Sequence, residues 1–289
     1  MMTQQTQVWG SIFFFFLTYI CAEIVIQGIY IILADISLDG DLVFSEPEFL
    51  VTTVLSAIIA SVVVYFFVKV NDTNPPIKVG LTANNKCRDF IIGTAIGGAV
   101  MAFGFAILII LGEISIEGIS INLLDLLCSL IGFLAVAYSE ELIFRGFLMR
   151  KLQLQLQYSA KFALIASSVI FTLVHLGNDN LSVMGVFDLF VAGFMLGAFF
   201  LYTKNLWMAI GLHFGWNFFQ THLGFNVSGT DTYSIVEISM TQENLLNGGA
   251  FGFEGSILST IAQVIILATL FVLYRDRLAS NHSNIASTV

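Results

Sequence analysis

The sequence predicts an all-α, multi-pass membrane bundle of about eight transmembrane helices with both termini in the cytoplasm. Three observations carry that reading: the chain is too apolar for water, its apolar runs match a bilayer in length, and its basic residues occupy only alternate connections. Hydrophobic residues make up 57% of the 289 and charged ones only 11%, and the mean hydropathy is +0.89. A soluble domain of this size cannot carry such a composition on its surface. Eight spans of about 20 residues with short loops use nearly the whole length, so residues 1–289 are expected to form one membrane domain.

Apolar runs fall at roughly 9–34, 49–70, 89–112, 123–149, 160–177, 183–203, 206–222 and 255–275. The first is too long and wrongly flanked for a cleaved signal peptide and is expected to persist as a helix. Lys69, Lys78, Lys86 and Arg88 flank the second connection, and Arg150, Lys151 and Lys161 the fourth. Lys204 marks the sixth, and Arg275 and Arg277 follow the last run. The odd-numbered connections hold only acids, among them Asp35, Asp39, Asp41, Glu46, Glu48, Glu113, Glu117, Asp179, Asp231, Glu237 and Glu243. Basic loops stay cytoplasmic, so the even connections face the cytoplasm. Of the 11 basic residues only Arg145 is left over from these flanks, and it lies near the cytoplasmic end of the fourth run.

The net charge of −9 argues against nucleic acid as a partner. Cys21, Cys87 and Cys128 are scattered, without a disulfide framework or a C-x-x-C motif, and read as packing residues. Asn71 to Asn85, with Pro75-Pro76, reads as a cytoplasmic linker, and the polar stretch from Leu223 to Phe253 as an outer loop or a lid.

A charge inside a span costs roughly 2.5–3.5 kcal/mol on insertion scales, so each needs a partner or a purpose. The fourth run contains Glu140-Glu141-x-x-x-Arg145. Glu141 and Arg145 share a helical face and can pair, whereas Glu140 points about 100° away. The fifth run carries Phe171-x-x-x-His175 and the seventh His213-x-x-x-Asn217. Counted at 1.5 Å per residue, Glu140 stands about 15 Å from Arg150, and His175 about 21 Å from Lys161. His213 and Asn217 stand about 14 Å and about 20 Å from Lys204. All four fall near the middle of a core about 30 Å thick, where one shared cavity is possible.

These three motifs, in this order on three spans, resemble those of the CAAX-protease and bacteriocin-processing (CPBP, or Abi) family of intramembrane proteases. The similarity runs from about residue 89 to 275 and includes the segment from Gly248 to Gly255. It implies an endopeptidase acting on peptide or protein substrates at a membrane, in a bacterial plasma membrane. Carried onto this chain, it implies that Glu140 and His175 activate water while His213 and Asn217 stabilise the oxyanion. Glu141, Arg145 and Phe171 would be supporting residues.

Peptide hydrolysis needs a base for water and a donor for the oxyanion, and these residue types supply both. A zinc site of His175, His213 and Glu140 stays open, because ligands spread over three helices have no diagnostic spacing. A proton-coupled transporter, or a non-catalytic scaffold or immunity protein, would also place such groups in mid-membrane. Glu23, Asp188 and Glu254 read as cavity-lining or packing contacts, Gln220 and His222 as interfacial, and Gly193-x-x-x-Gly197 as close helix packing. Oligomeric state has no sequence signal.

Overall fold

The computed structural model describes residues 4–36, 44–70, 77–154, 156 and 158–286. Asp39, Asp41 and Pro75-Pro76 lie outside them. Eight helices run through the described chain: α1 (Gln4–Leu33), α2 (Glu46–Val70), α3 (Lys86–Leu111), α4 (Leu123–Leu154), α5 (Ala160–Val174), α6 (Val183–Thr203), α7 (Leu206–His222) and α8 (Ile257–Ala286). Side-chain caps set four of the starts. Asn122, Ser159, Ser182 and Asn205 each accept a hydrogen bond from a backbone N–H of the helix they precede, satisfying donors that a helix leaves open.

Five helices, α1, α2, α3, α4 and α6, are long and apolar enough to cross a membrane, and α5 and the Ile257–Leu273 part of α8 are shorter apolar segments. With 15 and 17 residues, α5 and α7 extend only about 22 and about 26 Å. They correspond to the two shortest apolar runs in the sequence, 160–177 and 206–222. The short helices carry the polar motifs and sit among other helices, so they need not reach both lipid faces. Large apolar side chains point outward from the longer helices, as with Ile32 at 77% exposure and Ile110 at 81%. Only lipid makes that arrangement stable. Cys21 and Cys87 are exposed and only Cys128 is buried, so packing explains one of the three.

The bundle has two chemically different ends. At one, Lys151 Nζ donates to Ser11 Oγ at the start of α1, and Trp9 meets the ring of Tyr158. The backbone N–H of Leu206 donates to Gly80 O, and Asn205 Nδ2 donates to Asp89 Oδ2. The start of the chain and the second, fourth and sixth connections thus meet at this end, with the basic residues they contain. At the other end, Tyr233 N donates to Glu46 Oε1 and Asn178 Nδ2 to Ser228 O, joining the first, fifth and seventh connections.

That second end holds an element absent from the sequence reading. Strand β1 (Ile114–Ile119) pairs antiparallel with β2 (Val236–Met240), with a register irregularity between Ile116 and Gly118. The pair ties the third connection to the seventh, so residues 223–256 form an ordered cap. Gly229 N donates to Phe251 O, and a Cβ at Gly229 would stand 1.9 Å from Asp179 O. Its φ of +88° also lies where only glycine is comfortable.

The tightest helix contact joins α3 to α7. Gly93 and Gly97 face Gly211 and Gly215 so closely that a Cβ at Gly211 would lie 2.2 Å from Phe90 O and one at Gly97 2.5 Å from Trp216 N. Small residues at this spacing let two backbones touch, the main route to helix association in lipid. The contact positions α7, and therefore His213 and Asn217. Gly211→Val is expected to cost about 3 kcal/mol or more, because backbone rather than a flexible side chain must yield. Thermal unfolding in detergent measures this, with Gly10→Val, where nothing lies within 4 Å, as the unperturbed control.

Candidate active site

Helix α4 changes character where the glutamates stand. It is α-helical through Glu141, then π-helical over Leu142–Met149, every residue of which is buried. Such wide turns inside α-helices are frequent at functional sites. Ser167 Oγ donates to Phe144 O within this turn, pinning α4 to α5.

Arg145 is fully buried. Its Nη1 donates to Glu141 Oε1 at 2.6 Å, its Nη2 donates to Gly193 O at 3.0 Å, and its guanidinium lies 4.7 Å from the Phe171 ring centre. The predicted ion pair is present, and Gly193 serves it by exposing a backbone carbonyl. A Cβ at Gly193 would stand 3.2 Å from Ser168 Cα, and one at Gly197 2.4 Å from a Leu164 methyl, so close packing of α6 on α5 is also as expected.

Glu141 has a second partner. His213 Nδ1 stands 3.0 Å from the same Oε1. A carboxylate held by arginine accepts, so this nitrogen donates and Nε2 is directed away from Glu141. His175 is oriented in a parallel manner from the C-terminal end of α5. Its Nδ1 donates to Phe171 O at 2.7 Å, and its ring lies 4.4 Å from that of Phe171. The i, i+4 spacing of Phe171 and His175 therefore matters through a backbone carbonyl as well as a ring.

Both Nε2 atoms approach Glu140. His175 Nε2 is 3.8 Å and His213 Nε2 3.9 Å from Glu140 Oε2. These distances are too long for direct hydrogen bonds, and Glu140 Oε2, a buried atom, has no partner among the described residues. Glu140, Phe171, His175, His213 and Asn217 all line one cavity of about 240 Å³. Glu141 and Arg145 stand behind its wall. His175 caps the C-terminal end of α5, whereas Glu140 and His213 lie within α4 and α7.

Asp188 and Glu254 line the cavity too. Asp188 accepts from Thr260 Oγ1 at 2.6 Å and Gln263 Nε2 at 2.7 Å, joining α6 to α8. Glu254 accepts from Ser228 N and Ser228 Oγ. Burial raises the Glu254 carboxyl above its usual range, against the pull of those two bonds. Glu23, by contrast, accepts from Gln27 and Ser56 between α1 and α2. Ser228, Thr230 and Thr232 of the cap complete the wall, and no local pattern in the sequence announces them. The expectation that Gln220 and His222 are interfacial is corrected. Gln220 is fully buried and donates to Asn226 O, while His222 is 5% exposed and bonded to Ser129.

Tetrahedral zinc with bonds of about 2.0–2.2 Å draws its ligand atoms to about 3.3–3.5 Å from one another. Both Glu140–imidazole separations exceed that, and among the described residues no three His, Cys, Asp or Glu side chains are grouped as a metal site. The set His175, His213 and Glu140 does not have the geometry of a zinc cage.

Fold and site define an integral membrane protein with a cavity lined by carboxyl, imidazole and amide groups. A family model described as type II CAAX prenyl endopeptidase Rce1-like matches residues 122–219, the stretch that holds all three motifs. Over that third the chain is similar to this family, which is also the one that the three motifs resemble. No curated protein matches the chain.

Proposed function

We propose that the protein is an intramembrane endopeptidase that hydrolyses peptide bonds with a water activated by Glu140 and His175. The observation that carries this is the approach of two oriented imidazoles to Glu140 Oε2, a buried oxygen with no hydrogen-bond partner among the described residues, in a cavity that Asn217 also lines. A contact longer than about 3.5 Å between such groups suits a bridging water. With its Nδ1 proton committed to Phe171 O, His175 offers Nε2 as an acceptor for one water proton.

Glu140 takes the other proton as the water oxygen attacks the scissile carbonyl carbon. The carbonyl π pair moves onto oxygen, and Asn217 donates a hydrogen bond to that oxyanion. His213 adds a second when its ring carries both protons, a charge that Glu141 offsets. The proton on Glu140 then passes to the amide nitrogen as the C–N bond breaks, leaving an amine and a carboxylic acid.

A carrier would need a second opening. Here Phe144, Phe147, Leu148, Met149 and Leu152, all at 4% exposure or less, fill α4 beyond the site, which favours the enzyme. A scaffold or immunity protein would turn over nothing. The catalytic unit is one membrane domain with residues 89–275 as its core, in a bacterial plasma membrane. The test is hydrolysis of membrane-tethered peptides by the purified protein, with product masses locating the cut. Turnover is expected to stay within about twofold after treatment with a strong zinc chelator, whereas a thousandfold loss restored by zinc would make the enzyme a metalloprotease.

A further inference from the structure

The cavity has a definite mouth. Asn178 and Ser228 are half-buried in its wall and Thr230 is exposed, all in the fifth and seventh connections. The opposite direction is closed by the buried apolar turn of α4. The mouth therefore opens at the end whose connections contain no lysine or arginine, while Lys151 and the connections bearing Lys78, Lys86, Arg88 and Lys204 gather at the other. Basic connections are retained in the cytoplasm.

The mouth is also electrically one-sided. Glu140, Asp188 and Glu254 contribute carboxyl groups to the walls. Exposed Asp179 and Asp231 adjoin the lining residues Asn178, Thr230 and Thr232. No lysine or arginine lines the cavity, and the guanidinium behind it is held by Glu141 and Gly193 O. A peptide ending in a free carboxylate close to the cut would meet three carboxyl groups and no lysine or arginine, which is costly in a desolvated site. A cationic segment would be drawn in.

We propose that the enzyme takes its substrate from the non-cytoplasmic face and selects a lysine- or arginine-bearing segment next to a membrane anchor. The proposal rests on the protease reading and names the substrate class of that site. It departs from the prenylated C-terminal peptides that the matched family model is named for.

Orientation is tested with the full chain in cells, in a Cys21→Ser, Cys128→Ser background carrying Thr230→Cys. Exposed Cys87, between Lys86 and Arg88, serves as the internal marker of the other end. A membrane-impermeant maleimide is expected to label position 230 in intact cells and Cys87 only after permeabilisation. The reverse pattern overturns the proposal. Selectivity is tested in detergent with anchored peptides bearing lysine-rich or glutamate-rich tails, beside a prenylated peptide with a free C-terminus. The lysine tail is expected to lead in kcat/KM by about tenfold, and Asp179→Asn with Asp231→Asn to cut that lead to about threefold or less. Equal rates, or a lead for the glutamate tail or the prenylated peptide, overturn the selectivity and leave the protease reading standing. Absence of turnover with every peptide overturns the protease reading and its substrate class together, while the labelling still decides the orientation.

Discussion

Glu140→Gln is expected to lower kcat by at least about 10³-fold while leaving the unfolding temperature within a few degrees of the parent. The amide is nearly isosteric with the carboxyl but cannot take a proton from water, and general base catalysis contributes about 10²–10⁴. Stability is spared because Glu140 makes no close ion pair. Its side chain is 25% exposed, and its imidazole neighbours stand at 3.8 and 3.9 Å. The two effects together separate a reacting group from a structural one. Peptide turnover and thermal unfolding on one preparation check both, and a variant retaining a tenth of parental turnover would remove Glu140 from the chemistry.

Arg145→Ala is expected to be the most damaging change to the fold, at about 3–5 kcal/mol, because it strands Glu141 as a buried carboxylate with its charge unmatched. It also removes the hydrogen bond to Gly193 O and the stacking on Phe171, so α4, α5 and α6 lose a common tie. Glu141→Gln with Arg145→Gln removes both charges at similar volume and should recover much of that loss. Activity should not recover with it. The 3.0 Å contact that sets the His213 tautomer needs an acceptor that stays put, and an amide held by a weaker neighbour is a poor one. Chemical denaturation and kcat measured on the pair of variants separate the two roles of Glu141. Parallel recovery of stability and activity would reduce Glu141 to a packing role.

The helices and most of the site were legible because lipid imposes simple rules. Apolar runs marked every helix to within a few residues at most ends. The three motifs were legible because a polar group at helical spacing inside an apolar run is expensive and must meet another. Glu141 pairing with Arg145 followed from i, i+4 geometry alone. The second bond of Glu141, to His213, did not, since it joins residues 72 apart and depends on how α7 docks on α3. The glycines that set that docking, Gly93 and Gly97 against Gly211 and Gly215, were not singled out, because spacing alone does not say which two helices meet. Strand β1 shows the same limit. Ile114 and Ile116 alternate with polar neighbours for only one step before the irregularity at Gly118, and the strand forms only by pairing with Val236–Met240 across more than a hundred residues. Burial of His222 arises because the cap folds over the end of α7, which hydropathy cannot foresee.

The most direct measurement is a double-mutant cycle on peptide turnover with Glu140→Gln, His175→Ala and the two combined. If both side chains act on one water, the combined variant will be within about threefold of the slower single variant, since a unit once broken cannot be broken again. Losses that multiply, or turnover that survives both changes, would mean that the carboxylate and the imidazole do not share a reaction.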